Sequence, residues 1–256
     1  MVRENWEQGD AYELYVGRWS RQVAPLFLDW LGMPPGLRWV DVGCGTGALT
    51  AAILDEAAPT SVVGIEPSEG FLTTARQRLG DRARLLHAGA ESLPLGDTSA
   101  DVVVSGLVLN FVSDVSAALA EMRRVGGTVA AYVWDYGKDM QFMRYFWDAA
   151  VDLDPSVRGL DEAVRFPVAS EPGLRTLFAD FADVSTTALD LPTVFADFDA
   201  FWTPFLGAQG SAPTYLASLD AEARDRLREA VRERVPASAD GSIDLVARAW
   251  AVRGSA

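Results

Sequence analysis

A single cysteine, Cys44, and a single histidine, His87, stand in a chain of 256 residues. One thiol excludes an internal disulfide and an all-cysteine metal site. One imidazole excludes a two-histidine zinc motif, and a lone histidine in an apolar strand is expected to be structural. Positive charge is scarce too: 22 Lys and Arg against 36 Asp and Glu give a net charge of −14. A field of that sign repels phosphate backbones and anionic lipid surfaces, so neither nucleic acid nor a membrane is expected as a partner. No apolar run approaches the ~18 residues of a membrane span, and the opening MVRENWEQGD lacks a secretory leader pattern. The expected location is cytoplasmic.

Glycine, by contrast, is concentrated where it matters. A short apolar strand over 39–42 runs into Gly43, Gly45 and Gly47, and a helical pattern starts at Ala48. Alternating glycines between a strand end and a helix start let a ligand press against main chain that has no Cβ in the way. The dinucleotide fingerprint is G-x-G-x-x-G, with pyrophosphate on the helix N-terminus. Here the spacing is one residue short, and Asp41 lies two residues before the first glycine. A carboxylate there suits a ligand carrying an ammonium group and suits pyrophosphate poorly. No Lys-Ser or Lys-Thr follows the glycines, which excludes a triphosphate loop. A second strand over 61–65 ends at Glu66, placed to accept from both ribose hydroxyls. Pro67 and Ser68 then turn the chain, with Ser68 as helix cap. The ligand is expected to be a nucleoside with a zwitterionic tail and no phosphates.

Asp41-Val-Gly-Cys-Gly-Thr-Gly47 resembles motif I of the class I S-adenosylmethionine-dependent methyltransferases, and the resemblance covers roughly residues 10 to 135. It is similar in particular to the ubiquinone and menaquinone-biosynthesis branch, whose serine and asparagine after the fourth strand are matched by Ser105 and Asn110. The resemblance implies S-adenosylmethionine as cofactor, S-adenosylhomocysteine as product and a small-molecule methyl acceptor. It places Asp41, Gly43, Cys44, Gly45, Thr46, Gly47, Glu66, Pro67 and Ser105 around the cofactor, with Phe71 over the adenine. Ala88-Gly-Ala-Glu-Ser-Leu-Pro-Leu95 resembles the adenine-binding motif, with Gly89 where an aspartate is usual. Ala90 main chain and Glu91 are then the expected adenine contacts. Arg124-Val-Gly-Gly127 is shorter than the usual turn before the fifth strand.

Strands alternate with helices throughout, giving an α/β fold: a doubly wound, Rossmann-like, seven-stranded, mostly parallel sheet whose last strand is antiparallel. A sixth strand is expected over 184–191, a helix over 195–206 and a closing strand over 243–252. Residues 1–256 are expected to form one domain, with helical insertions over 137–172 and 192–240 above the substrate site. An aromatic helix over 11–31 is the expected lid, bringing Tyr15, and Arg18 for the cofactor carboxylate. Trp19, Asn110, Phe111, Trp134 and Tyr136 are candidate substrate contacts, and Asp135 is the candidate catalytic carboxylate. Methyl transfer from a sulfonium needs alignment and a dry pocket rather than a metal or a nucleophile. Aromatic faces at Tyr15, Trp19, Phe111 and Trp134 are available to the sulfonium. A homodimer is compatible with this reading. Two alternatives remain at this point, a nicotinamide oxidoreductase and a nucleoside-binding protein without methyl transfer.

Overall fold

The computed structural model describes residues 17–207 and 210–256. Seven strands form one sheet in the order β3-β2-β1-β4-β5-β7-β6. The strands are β1 (Arg38–Val42), β2 (Ser61–Glu66), β3 (Arg84–His87), β4 (Ala100–Gly106), β5 (Gly126–Trp134), β6 (Ala182–Phe195) and β7 (Ile243–Ser255). Strands β1 to β5 pair in parallel, and β7 runs antiparallel to β5 with Thr128 opposite Ser255. The expected sheet is therefore present. Between β2 and β4 the order reverses around β1, which puts the end of β1 at the topological switch point where such sheets bind ligands.

The chain divides into two compact units. The first holds residues 20–134, 168–189 and 249–256. Its strands are continuous apolar runs, as strands covered on both faces must be, and β1 is buried from Trp39 to Val42. Helices α1 (Arg18–Leu31), α2 (Ala48–Glu56), α3 (Glu69–Leu79) and α4 (Val115–Val125) alternate with the strands, α1 entering this unit at Ser20. Ser68 caps α3 by accepting from the Phe71 amide, as its position predicts, and Asp114 caps α4 through the Ala117 amide. The shortened turn has a simple form: α4 ends at Val125 and β5 begins at Gly126. A Cβ on Gly126 would lie 2.4 Å from Val103 Cγ2, so the direct connection requires glycine.

The second unit holds residues 135–167 and 190–248 together with residues 17–19. Its helices are α5 (Gln141–Leu153), α6 (Glu162–Arg165), α8 (Phe198–Trp202), α9 (Ser211–Ser218) and α10 (Ala221–Arg234); α7 (Glu171–Leu177) belongs to the first. Phe142, Phe146 and Trp147 of α5 are buried, and the Phe205 ring stacks on both phenylalanines at 4.3 and 4.7 Å. Burying each such ring contributes about 1.5–3 kcal/mol. These aromatics are the core of their own unit. The sixth strand runs four residues beyond its expected end because Leu189, Leu191, Thr193 and Phe195 alternate inward, with Pro192 tolerated on an edge strand. The expected helix over 195–206 contracts accordingly to α8 and a 3₁₀ turn over Thr203–Gly207, where Pro204 supplies no amide.

Candidate functional site

The three glycines of the loop all have positive φ: 74° at Gly43, 55° at Gly45 and 85° at Gly47. Gly43 is also sterically required, since a Cβ there would meet Val108 Cγ1 at 2.5 Å. Gly45 differs, because a Cβ there would meet nothing within 4 Å. Its bare face is therefore the open side of the loop, where a ligand can approach the main chain.

The hydrogen-bonding of this loop decides what it can hold. The Gly43 and Cys44 amides both donate to the Ile65 carbonyl, at 2.7 and 2.9 Å. Gly47 donates to the Cys44 carbonyl at 2.8 Å, and Gly45 donates to Glu66 Oε2 at 3.0 Å. A pyrophosphate site needs such amides free and needs no carboxylate among them. Here four amides are committed to the protein, and two acidic side chains stand beside them.

Glu66 ends β2 and is buried, its Oε1 accepting from the Ser68 amide at 2.9 Å. Burial raises its carboxyl above the ordinary range, partly offset by the two amides. Asp41 is 1% exposed. Its Oδ2 accepts from Thr50 Oγ1 at 2.6 Å, while its buried Oδ1 has no hydrogen-bond partner. Burial pushes the Asp41 carboxyl up to about 7, and the charge of Glu66 adds to the rise. A buried carboxylate oxygen without a donor, next to a second carboxylate, suits a cation or the hydrogen bonds it donates. Thr50, absent from the residues singled out in the sequence, holds the occupied oxygen; its position in the first turn of α2 was the available signal.

The other expected cofactor residues fall into place unevenly. The Cys44 thiol is buried and pushed well up by that burial, and its sulfur lies 2.9 Å from where a Cβ on Gly64 would be. Cys44 thus contributes main chain and packing, and its thiol is inert. Thr46 is held by Arg78 Nη1, which donates to its carbonyl at 3.1 Å. The Pro67 carbonyl is 2.7 Å from His87 Nε2, which makes the histidine a tie between β3 and the loop after β2. Glu91 Oε1 accepts from Ser113 Oγ at 2.9 Å, and Glu91 Oε2 lies 3.1 Å from where a Cβ on Gly89 would be. The Glu91 carboxylate therefore occupies space next to the position that lacks the usual aspartate. Phe71 is half-buried and Ala90 buried. Ser105 is fully buried and donates its hydroxyl to the Val42 carbonyl at 2.9 Å, tying β4 to β1.

The loop after β4 meets the glycine loop through Val108. Leu107 holds φ 63°, an uncommon value for leucine, fixed by its amide bond to the Tyr132 carbonyl at 2.8 Å. Asn110 is buried with its Nδ2 unpartnered, and the neighbouring Phe111 is 45% exposed. Trp134, an expected substrate contact, is instead packed fully into the strand core.

The remaining candidates belong to the second unit. Asp135 accepts, through its carbonyl, from the Lys138 and Met140 amides at 3.3 and 2.9 Å, and its side-chain charge acts on Arg248. Arg248 also binds Asp190 and Asp139. The geometry gives Asp135 a turn and a cation to serve. Tyr136 is buried, with its ring 5.8 Å from Phe166 and its carbonyl accepting from Arg144 at 3.0 Å. Trp19 is buried against Phe142 and Phe195 at 5.1 and 6.0 Å. Tyr15 and the first part of the expected lid helix lie outside the described residues.

Residues 40–130 match the methyltransferase domain family. The chain is 38% identical over 105 residues to demethylmenaquinone methyltransferase from Staphylococcus aureus, covering 39% of this chain and 44% of that protein. It thus spans less than half the length of the curated relatives it matches. Among solved structures it resembles the YcgJ protein of Bacillus subtilis, with a TM-score of 0.59 and 20% identity over 91% of this chain and 97% of the other. It also resembles Haemonchus contortus phosphoethanolamine N-methyltransferase 2, solved with phosphomonomethylethanolamine and S-adenosylhomocysteine. That match has a TM-score of 0.58 and 17% identity over 96% of this chain and 56% of that one. The residues that resemble a methyltransferase domain, 40–130, lie within the seven-stranded sheet, whose fold is similar to those of the solved structures.

Proposed function

We propose that the protein binds S-adenosylmethionine at the Asp41–Glu66 loop and catalyses transfer of its methyl group to a small organic acceptor. The observation that carries this reading is the electrostatic character of the loop: its amides are committed internally, and two buried carboxylates stand beside it. Such a site favours a nucleoside with a cationic tail and disfavours phosphates. Glu66 keeps lone pairs on both oxygens for ribose hydroxyls. Asp41 Oδ1 accepts from the ammonium group, directly or through a water. Phe71 covers the adenine, whose edge meets the Ala90 main chain and the Glu91 carboxylate.

When bound, the cofactor supplies a methyl group on a sulfonium, moved by in-line displacement. The chain's own part is to align and to exclude water. We assign Asn110 to the acceptor, since its unpartnered amide group offers a donor for an oxygen or nitrogen lone pair, and Phe111 to an apolar contact beside it. Among the described residues no helix is long and apolar enough to cross a membrane, and the acidic surface supports a freely diffusing acceptor in the cytoplasm.

Calorimetric titration with S-adenosylmethionine, S-adenosylhomocysteine and NAD tests the proposal. Both adenosyl compounds should bind, NAD should not, and Glu66→Gln should weaken binding at least tenfold, since hydrogen bonds to a charged group contribute about 1.5–3 kcal/mol each. Binding of NAD alone would overturn the reading.

A further inference from the structure

In a chain with 36 acidic and 22 basic residues, a guanidinium with two buried nitrogens that lack a partner stands out. In the second unit Arg144 binds Asp161, Arg228 binds Asp199, Arg234 binds Asp152 and Arg248 binds Asp190. Arg18 binds none of these. Its guanidinium lies over the Trp19 ring at 4.6 Å and the Phe195 ring at 5.1 Å. Its Nε and Nη2 atoms are buried and have no hydrogen-bond partner. Burial lowers the Arg18 pKa, the direction expected of a cation that has lost water without gaining an anion.

A second unsatisfied group shares the surroundings. Thr193 points inward two residues before Phe195 on the same face of β6, and is 1% exposed. Its Oγ1 is also buried without a partner. The Trp19, Phe142 and Phe195 rings, mutually 5.1 to 6.0 Å apart, form an apolar wall beside Arg18, and Phe195 shares its face of β6 with Thr193. Native proteins rarely leave buried donors unpaired, and a buried guanidinium edge is shaped for two parallel bonds to a carboxylate.

We propose that Arg18, Thr193 and this ring wall form a binding site for the carboxylate of a small organic acid with an apolar body. The Nε–Nη2 edge of Arg18 takes the two carboxylate oxygens, and the Thr193 hydroxyl adds a third donor. Both arginine nitrogens are covered in this structure. Binding therefore turns the guanidinium, which lies over the Trp19 and Phe195 rings, toward the ligand. An amino-acid carboxylate fits less well, since its neighbouring ammonium needs an acceptor and, among the described residues, no carboxylate is bonded to Arg18 Nε, Arg18 Nη2 or Thr193 Oγ1. The cofactor's own tail is thus the rival occupant, and the proposal is independent of the methyl-transfer reading.

The experiment titrates the full chain with benzoate, phenylacetate and 3-phenylpropionate, with their neutral amides as controls. S-adenosylhomocysteine and 5′-methylthioadenosine, which lacks the amino-acid tail, are titrated in parallel. At least one acid should bind and its amide should not. Arg18→Gln should weaken that binding more than tenfold, Thr193→Val several-fold, and Arg18→Lys by an intermediate factor, with S-adenosylhomocysteine affinity unchanged throughout. Removing an unpaired buried cation should leave the thermal midpoint of Arg18→Gln equal to or above that of the parent. No acid binding, or acid binding indifferent to Arg18→Lys and Thr193→Val, overturns the proposal. So does loss of S-adenosylhomocysteine but not 5′-methylthioadenosine affinity in the Arg18 variants, which assigns the guanidinium to the cofactor tail. Failure of S-adenosylhomocysteine to bind the parent chain would instead strike the methyl-transfer reading alone.

Discussion

Asp41→Asn keeps the size of a buried side chain and removes its charge. In the folded chain the Asp41 carboxyl sits at about 7, against an ordinary 3.8. That difference of roughly three pKa units corresponds to about 4 kcal/mol. The sign follows from which state holds the proton. Between about pH 4 and pH 7 the folded chain keeps a proton that the unfolded chain releases, so raising the pH through this window costs the parent stability. Asparagine has nothing to release. Its amide nitrogen, placed where Oδ1 now lacks a partner, adds a penalty of about 1–3 kcal/mol that is the same at every pH. The stability of Asp41→Asn relative to the parent should therefore climb with pH, by up to about 1.4 kcal/mol per unit, and level off above about pH 7. Urea unfolding of both proteins at about pH 5, 6, 7 and 8 measures that slope. A flat difference, or one that grows toward acid, refutes the argument that Asp41 is a desolvated carboxylate. The same variant should bind S-adenosylmethionine at least tenfold more weakly at about pH 8, so stability and affinity move in opposite directions.

Gly43→Ala and Gly45→Ala should separate packing from access. The first meets Val108 at 2.5 Å and needs φ 74°, so it should lose about 2–4 kcal/mol in chemical unfolding. The second meets nothing and should lose only about 1 kcal/mol, yet its methyl stands on the ligand face and should reduce cofactor affinity disproportionately in titration. Arg124 binds the Leu93 and Leu95 carbonyls, Asp97 and Glu121, so Arg124→Ala should raise amide hydrogen exchange selectively over residues 93–97. Cys44 should resist a thiol reagent in the folded chain at about pH 8 and react fully once unfolded; fast reaction of the native protein would contradict its buried, raised thiol.

Much of the site was legible because its signals are local. Three glycines after an apolar strand, a carboxylate two residues earlier and another at the next strand end are readable from spacing alone, as is Ser68 at the start of α3. What was not legible depends on residues far apart in the chain. Ser105 reads as a ligand contact, and only the β1–β4 pairing shows that its hydroxyl also donates to the Val42 carbonyl. Asp135 reads as a candidate catalyst, and only the fold shows that Arg248, more than a hundred residues later, brings a charge beside it. Phe195, Phe198, Phe201, Trp202 and Phe205 recur at helical intervals, which hid the period of two that carries β6 through Phe195. Nor can sequence reveal an unpaired group, since the absence of a partner for Arg18, Thr193 or Asn110 is a property of the folded neighbourhood.

The glycine loop shares its strand, turn and helix with dinucleotide sites, so fold alone does not select its ligand. Selection comes from where the amide hydrogens go. With Gly43 and Cys44 bonded to Ile65, and Gly45 to Glu66, no row of free donors is left for phosphate oxygens. The Gly45–Glu66 bond does two things at once: it occupies the donor an anion would use and fixes the carboxylate that repels one. If the amide pattern is the selector, Asp41→Asn combined with Glu66→Gln should lose S-adenosylhomocysteine without gaining NAD, because the committed amides remain bonded to Ile65. Gain of NAD by the double variant would mean that the carboxylates alone had kept pyrophosphate out, and that the amide pattern contributes nothing to the choice.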